Sequence, residues 1–291
     1  MSVHPITFSI PEEKIVSCIP EKVRFVSALI PGDMKTYIYN TEKEYYDQYK
    51  ESMFAITTKK AGWDCMRHYE ILANGCIPYF PGIEECPSNT MALLPKDLLQ
   101  QAITLCNNFS SDDSEKYTVL AGRLLDYTRE HLTTRKMAQY ILDTTNHSTA
   151  KKILFLSGRT DPDYLRCVTL HGFKTLLGKD CHDYPKVPHV YKDQNINYSR
   201  LYGKGITYTN LISPELHSEE SDQSLVSDIE KKVYDLIIYG SYHRGIPFYH
   251  VVMKHYKASD VVLLCGEDIH SCDYTNWTKN GHYVFVRELD T

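Results

Sequence analysis

Apolar residues along this chain fall into two patterns, short continuous blocks and longer stretches at helical spacing. Residues 152–156 (KILFL), 234–239 (YDLIIY) and 260–264 (DVVLL) are blocks of strand length, the pattern of strands buried on both faces. Helical spacing lies between them, in Leu165, Val168, Leu170 and Phe173 after Asp163, and again over residues 247–256. Such alternation predicts a parallel, doubly wound sheet. Earlier in the chain, residues 23–28 and 37–39 read as short strands. Residues 65–74 read as a helix, with Met66, Tyr69, Ile71 and Leu72 on neighbouring turns, ended by Gly75. Residues 76–80 then read as a strand stopped by Pro81 and Gly82. Further helices are expected over 96–107 and 114–141, the second carrying Leu120, Leu124, Tyr127 and His131 at helical intervals.

A polar stretch without periodicity, residues 144–150 (TTNHSTA), divides the chain. The expectation is an α/β protein of two Rossmann-like domains facing across a cleft, residues 1–147 and 148–291. A length of 291 residues is comfortable for two such units. The tyrosine-rich stretch 184–209 follows neither pattern and reads as a long loop suited to lining a site.

Composition narrows the function more than the fold. With 42% hydrophobic and 24% charged residues, the chain has an ordinary globular balance. A formal net charge of -5 gives no basic footprint and argues against nucleic-acid binding. No apolar run approaches the roughly 20 residues that span a bilayer. The first residues show no basic segment ahead of an apolar one, so no signal peptide is expected. Nine cysteines without framework spacing suit reduced thiols and a cytoplasmic location. Cys65, Cys76, Cys181 and Cys265 read as packed small apolar groups. Tyrosine, at 23 copies, offers flat faces with polar tips that suit sugars or proteins, although composition alone explains it equally well.

Chemistry concentrates in residues 59–87, KKAGWDCMRHYEILANGCIPYFPGIEECP. Lys59 and Lys60 precede a helix carrying Arg67 and Glu70, so cations gather at a helix N-terminus, the end that favours phosphate. Glu70, a turn further on, is placed to accept hydrogen bonds from two ribose hydroxyls. The plainer reading is a helix–turn–strand unit with a solvated Arg–Glu pair. The added presence of Trp63, His68 and Tyr69 before an apolar turn favours a site.

The run RHYEILANGCIPYF resembles the donor-binding segment of GT-B glycosyltransferases, especially the exostosin-like group and the enzymes of large algal viruses, the chloroviruses. What the resemblance implies is that Glu70 binds the donor ribose. Arg67 and one of Lys59 and Lys60 would contact the diphosphate or base, with Trp63, His68 and Tyr69 beside them. Many such enzymes carry a second glutamate one helical face earlier. Here that position is about Gly62, which leans the resemblance toward an inverting enzyme. It also implies a UDP-sugar co-substrate, xylose as the best single choice of sugar, a glycan acceptor and no metal. For a viral enzyme the location would be the host cytoplasm. The runs ILFLSGRTDPDYLRCVTLHGFKTLLG and DLIIYGSYHRGIPFY resemble the companion Rossmann-like half of such transferases, in permuted order, with the donor-like half first.

Two strand-end loops of the second half offer a base and acceptor contacts. Residues 157–163 (SGRTDPD) bring Arg159, Asp161 and Asp163, and residues 240–245 (GSYHRG) bring Ser241, His243 and Arg244. Strand ends of this kind face the crevice of an open α/β sheet. Asp161 is the first choice of base and His243 its main competitor, with Asp163 third because it also suits a helix cap. A contact from His243 to phosphate or acceptor is an equal alternative to catalysis. Cys265, Glu267, Asp268, His270 and Cys272 lie close in sequence, but their spacing does not match structural zinc, and no metal is assigned. No strand is followed by a G-x-G-x-x-G turn and no P-loop signature occurs, which disfavours a dinucleotide oxidoreductase and a P-loop NTPase. A non-catalytic carbohydrate- or protein-binding module, using the tyrosines as its interface, is the competing class.

Overall fold

In the computed structural model, which describes residues 3–268 and 272–290, the chain opens with β1 (Val3–Pro5) and β2 (Arg24–Val26). Helix α1 (Glu42–Lys50) follows, begun by a capping box in which Thr41 and Glu44 each accept from the other's backbone N–H. Next come β3 (Ser52–Ile56), α2 (Met66–Ala73), β4 (Ile77–Tyr79) and α3 (Lys96–Asn107). Helices α4 (Ser114–His131) and α5 (Thr134–Thr144) complete this half. The second half runs β5 (Ile153–Leu156), α6 (Tyr164–Leu177), β6 (Cys181–Tyr184), α7 (Glu219–Glu230) and β7 (Leu236–Tyr239). It ends with α8 (Tyr249–His255), β8 (Val261–Cys265), α9 (Thr275–Lys279) and β9 (Tyr283–Val286).

These strands form two sheets, a large one in the order β1-β9-β8-β7-β5-β6 and a small one in the order β2-β3-β4. Every pairing is parallel. Along the large sheet, alternate residues enter different cores: Phe155, Ile238 and Leu264 pack on one face, Leu154, Ile237 and Leu263 on the other. Both faces are therefore covered, as the continuous apolar blocks require, and the α/β class with a parallel Rossmann-like sheet is established. Successive strands lie to opposite sides of β5, with β6 on one side and β7 on the other. The connections from β5 and β7 run on to strands on opposite sides of this point, the place where such sheets hold ligands. At that point the loops touch: a Cβ at Gly158 would lie 2.5 Å from both the Arg244 carbonyl oxygen and the Gly245 Cα.

Several elements differ from the pattern reading. Residues 37–39 form no strand; Tyr37 instead meets Arg67 through its hydroxyl, and Tyr39 packs edge-on against Tyr45. The strand of that region is β3, which the pattern did not single out. The long helix expected over 114–141 is broken at Leu132 and Thr133, where the chain pairs with Ile10 and Thr133 caps α5. Division of the strands also departs from a cut at 147/148. β1 joins the large sheet beside β9, and α5 packs closely on α6, where Gly172 abuts the Thr134 backbone. One apolar cluster runs on from Phe54 and Tyr69 to Phe155 and Leu165, so the halves share a core.

Cys265 and Cys272 are joined as a disulfide with Cα atoms 6.3 Å apart. Cys265 is packed in the core as its sequence suggests, but it is not a reduced thiol; the other seven cysteines are free. His270 of the same cluster lies outside the described residues. No helix among the described residues is long and apolar enough to cross a membrane.

Candidate functional site

Helix α2 carries the donor-like residues, and all eight of its side chains are buried. The reason is that it lies between the small sheet and α4, so no face is left to solvent. His68 and Tyr69 serve the core. His68 Nε2 donates to the Trp63 carbonyl (2.9 Å), Nδ1 meets the Thr57 hydroxyl (2.9 Å), and the ring stacks on Phe80. Burial holds its pKa down at about 4, so the ring is neutral. The Tyr69 hydroxyl donates to Asp64 (2.8 Å), whose pKa burial pushes up to about 6.

Arg67 and Glu70 differ from their neighbours. Arg67 is 7% exposed; its Nη2 donates to the Tyr37 hydroxyl (2.8 Å), while Nε and Nη1 are buried without a partner. A buried guanidinium with two free donor nitrogens is costly unless an acceptor completes it. Glu70 accepts from the hydroxyls of Tyr45 (2.8 Å) and Thr207 (2.5 Å), and burial raises its pKa. A solvated Arg–Glu pair is thereby excluded. Lys59 and Lys60 stand exposed at the rim, Lys59 over the Trp63 ring and Lys60 over the Tyr37 ring.

The second cluster sits where β5, β7 and β8 end. Asp163 caps α6 by accepting from the Arg166 N–H (3.0 Å), as its position before the helix suggested. Its other oxygen accepts from the Ser241 hydroxyl (2.5 Å) and faces Arg244 Nε (3.3 Å). Arg244 also lies 3.7 Å from Glu267, and His243 Nε2 pairs with that same carboxylate. His243 Nδ1 is buried without a partner. Burial lowers the His243 pKa, and the Glu267 carboxylate opposes that shift. Arg159 and Asp161 are exposed at the rim, and the buried Arg166 holds their backbone carbonyls. Glu267 lies in the loop after β8, a strand end like the other two, and only the fold brings its carboxylate to His243.

Arg287 and Glu288, just past β9, join the two clusters, and nothing in their local sequence marked them. Arg287 is fully buried, donating to the carbonyls of Asp64 (2.5 Å) and Gly266 (3.1 Å) and pairing with Asp268 and Glu288. Glu288 accepts from the backbone N–H groups of Trp63 and Asp64. Its carboxylate lies beside Gly62, where a Cβ would come 2.5 Å from Oε1. The space beside Gly62 is thus filled from the far end of the chain.

A groove of about 830 Å³ between α3 and α4 includes none of these groups. A cavity of about 310 Å³ lies nearer, lined by Lys14, Asn40 and Glu42 together with residues of the 198–210 stretch. Eleven of the 23 tyrosines are buried, Tyr45, Tyr46, Tyr49 and Tyr239 among them, and the other twelve keep some exposed surface. Comparisons with protein-family models, curated proteins and solved structures find no significant match to this chain.

Proposed function

We propose that this chain is a glycosyltransferase that takes a UDP-sugar, with xylose as the best single choice, and transfers the sugar to a glycan hydroxyl. The observation that carries the reading is Arg67, buried on the first turn of α2 with two donor nitrogens unpartnered. A diphosphate supplies the acceptors those nitrogens lack, at the end of a helix that favours anions. Lys59 and Lys60 add positive charge at the rim, and Glu70 takes ribose hydroxyls. In this reading the small and large sheets are the donor and acceptor halves of a GT-B arrangement in permuted order, meeting at Arg287.

Acceptor contacts fall to Arg159, Asp163, Ser241 and Arg244. His243 becomes the preferred base over Asp161, because its ring has an orienting carboxylate in Glu267 and a nitrogen left free. The base takes the proton of the acceptor hydroxyl as its oxygen attacks the anomeric carbon and the diphosphate departs. Cationic side chains stabilise the leaving group, the part a metal plays elsewhere. Glu288 fills the space beside Gly62 with its oxygens already engaged, which leaves the inverting assignment in place.

Thermal-shift measurements with UDP, GDP and their sugars test the proposal, since a ligand of the folded state must raise its apparent stability. Stabilisation by UDP is expected; none by any nucleotide sinks the reading. A donor-hydrolysis panel then identifies the sugar, and NMR of the product anomer checks inversion.

A further inference from the structure

Four non-glycine residues with positive φ, Asp193, Lys204, Thr207 and Asn210, crowd into residues 193–210. Thr207 is the most unusual of them, β-branched and fully buried at φ 76°. Such a residue holds that backbone only where its surroundings impose it. Here the Thr207 N–H donates to Glu42 (2.7 Å) and its hydroxyl donates to Glu70 (2.5 Å). With its one hydrogen committed, the hydroxyl oxygen accepts from Tyr46 (2.7 Å). The second Glu70 oxygen is taken by Tyr45, so the carboxylate is closed by two hydroxyls, one of them reaching from the other half of the chain. Gly203 and Gly205, both at positive φ, flank Lys204, which is tied to Asn40 and the Tyr39 carbonyl. The 310 Å³ cavity adjoins this same stretch along Lys204, Gly205, Ile206 and Thr209.

We propose that residues 198–210 are a strap that closes the Glu70 site, with the Thr207 hydroxyl holding the place of a ligand hydroxyl. This rests on the reading of Glu70 as the hydroxyl-binding group of a nucleotide site. A ribose hydroxyl replaces the Thr207 hydroxyl on Glu70, so the buried carboxylate keeps both hydrogen bonds through the exchange. Release lets Thr207 leave its strained backbone, and that relief offsets part of the cost of opening. The Glu70 site of the free protein is therefore self-occupied, and ligand competes with the strap.

Trypsin cleavage after Arg200 and Lys204 in the native full chain, read by mass spectrometry, tests the strap without any ligand. Thr207→Val removes the hydroxyl and is expected to be cut several-fold faster than wild type. Thr207→Ser keeps the hydroxyl and should be cut at the wild-type rate. Thr207→Ala, which also lacks the hydroxyl but keeps a Cβ at that positive φ, carries the test if the valine variant does not fold. Equal cleavage of wild type and the hydroxyl-free variant overturns the strap. Titration with UDP forms the second arm: the hydroxyl-free variant should bind more tightly by about ten-fold or more, one hydrogen bond to a carboxylate having been removed from the competitor. Weaker binding by that variant, folded, overturns the exchange. No UDP binding by any of the proteins, with the cleavage contrast intact, defeats the nucleotide reading and leaves the strap standing.

Discussion

Glu288 accepts hydrogen bonds from the backbone N–H groups of Trp63, at 2.9 Å, and Asp64, at 3.0 Å, across 225 and 224 positions of chain. The same carboxylate balances the buried Arg287. Removing it leaves two backbone donors and a buried cation short of an acceptor. Glu288→Ala is therefore expected to cost about 3 kcal/mol, the scale of breaking a buried pair from one side. Urea unfolding measures it; a loss under 1 kcal/mol would show that water replaces the carboxylate without cost.

Arg67 offers the opposite combination. Two of its nitrogens have no partner, so the folded chain gains little from the charge. Arg67→Met should leave stability unchanged or raise it, since an apolar side chain of similar length removes the desolvation cost. UDP affinity should fall at least ten-fold, read by thermal shift and calorimetry. Full UDP affinity in the folded variant would place the diphosphate elsewhere.

His243 and Asp161 are separated by paired variants. His243→Ala is expected to lower transfer by about 10²–10⁴-fold, the usual contribution of a general base, with UDP binding kept. Asp161→Asn should retain most of the rate, because Asp161 is exposed at the rim. The reverse pattern would restore Asp161 as the base.

Acid sensitivity follows from the buried histidines. Burial lowers the pKa of both His68 and His189 from 6.5 to about 4. Between those values the unfolded chain binds more protons than the folded one, so stability is lost as pH falls through the window. The loss reaches roughly 3 kcal/mol for His68 and less for His189, whose ring solvent screens more. Asp64, raised from 3.8 to about 6, works against this, since its folded carboxyl takes up a proton first. Urea midpoints at pH 7 and pH 4.5 should show a net loss, smaller in His68→Gln. An identical pH dependence in that variant would remove His68 from the account.

Much of this architecture was legible in the chain. The blocks at 152–156, 234–239 and 260–264 read as buried strands because both of their faces are covered, a condition that leaves no polar alternation. The helix–Gly75–strand unit around Glu70 was equally plain, because capping chemistry is local. β1, β3, β6 and β9 were not, being short and sited by their partners more than by their own composition.

What the sequence determined by itself was the α/β class, the parallel sheet and the concentration of polar groups on α2 and at the ends of β5 and β7. Tertiary structure alone decided which of those groups are spent on the core, as His68 and Tyr69 are, and which keep unused donors, as Arg67 does. It also decided that Thr207 closes Glu70 and that Glu288 stands beside Gly62. Both join residues more than a hundred positions apart, and hydrogen bonds at that separation depend on how the sheets pack, which no local pattern of side chains encodes.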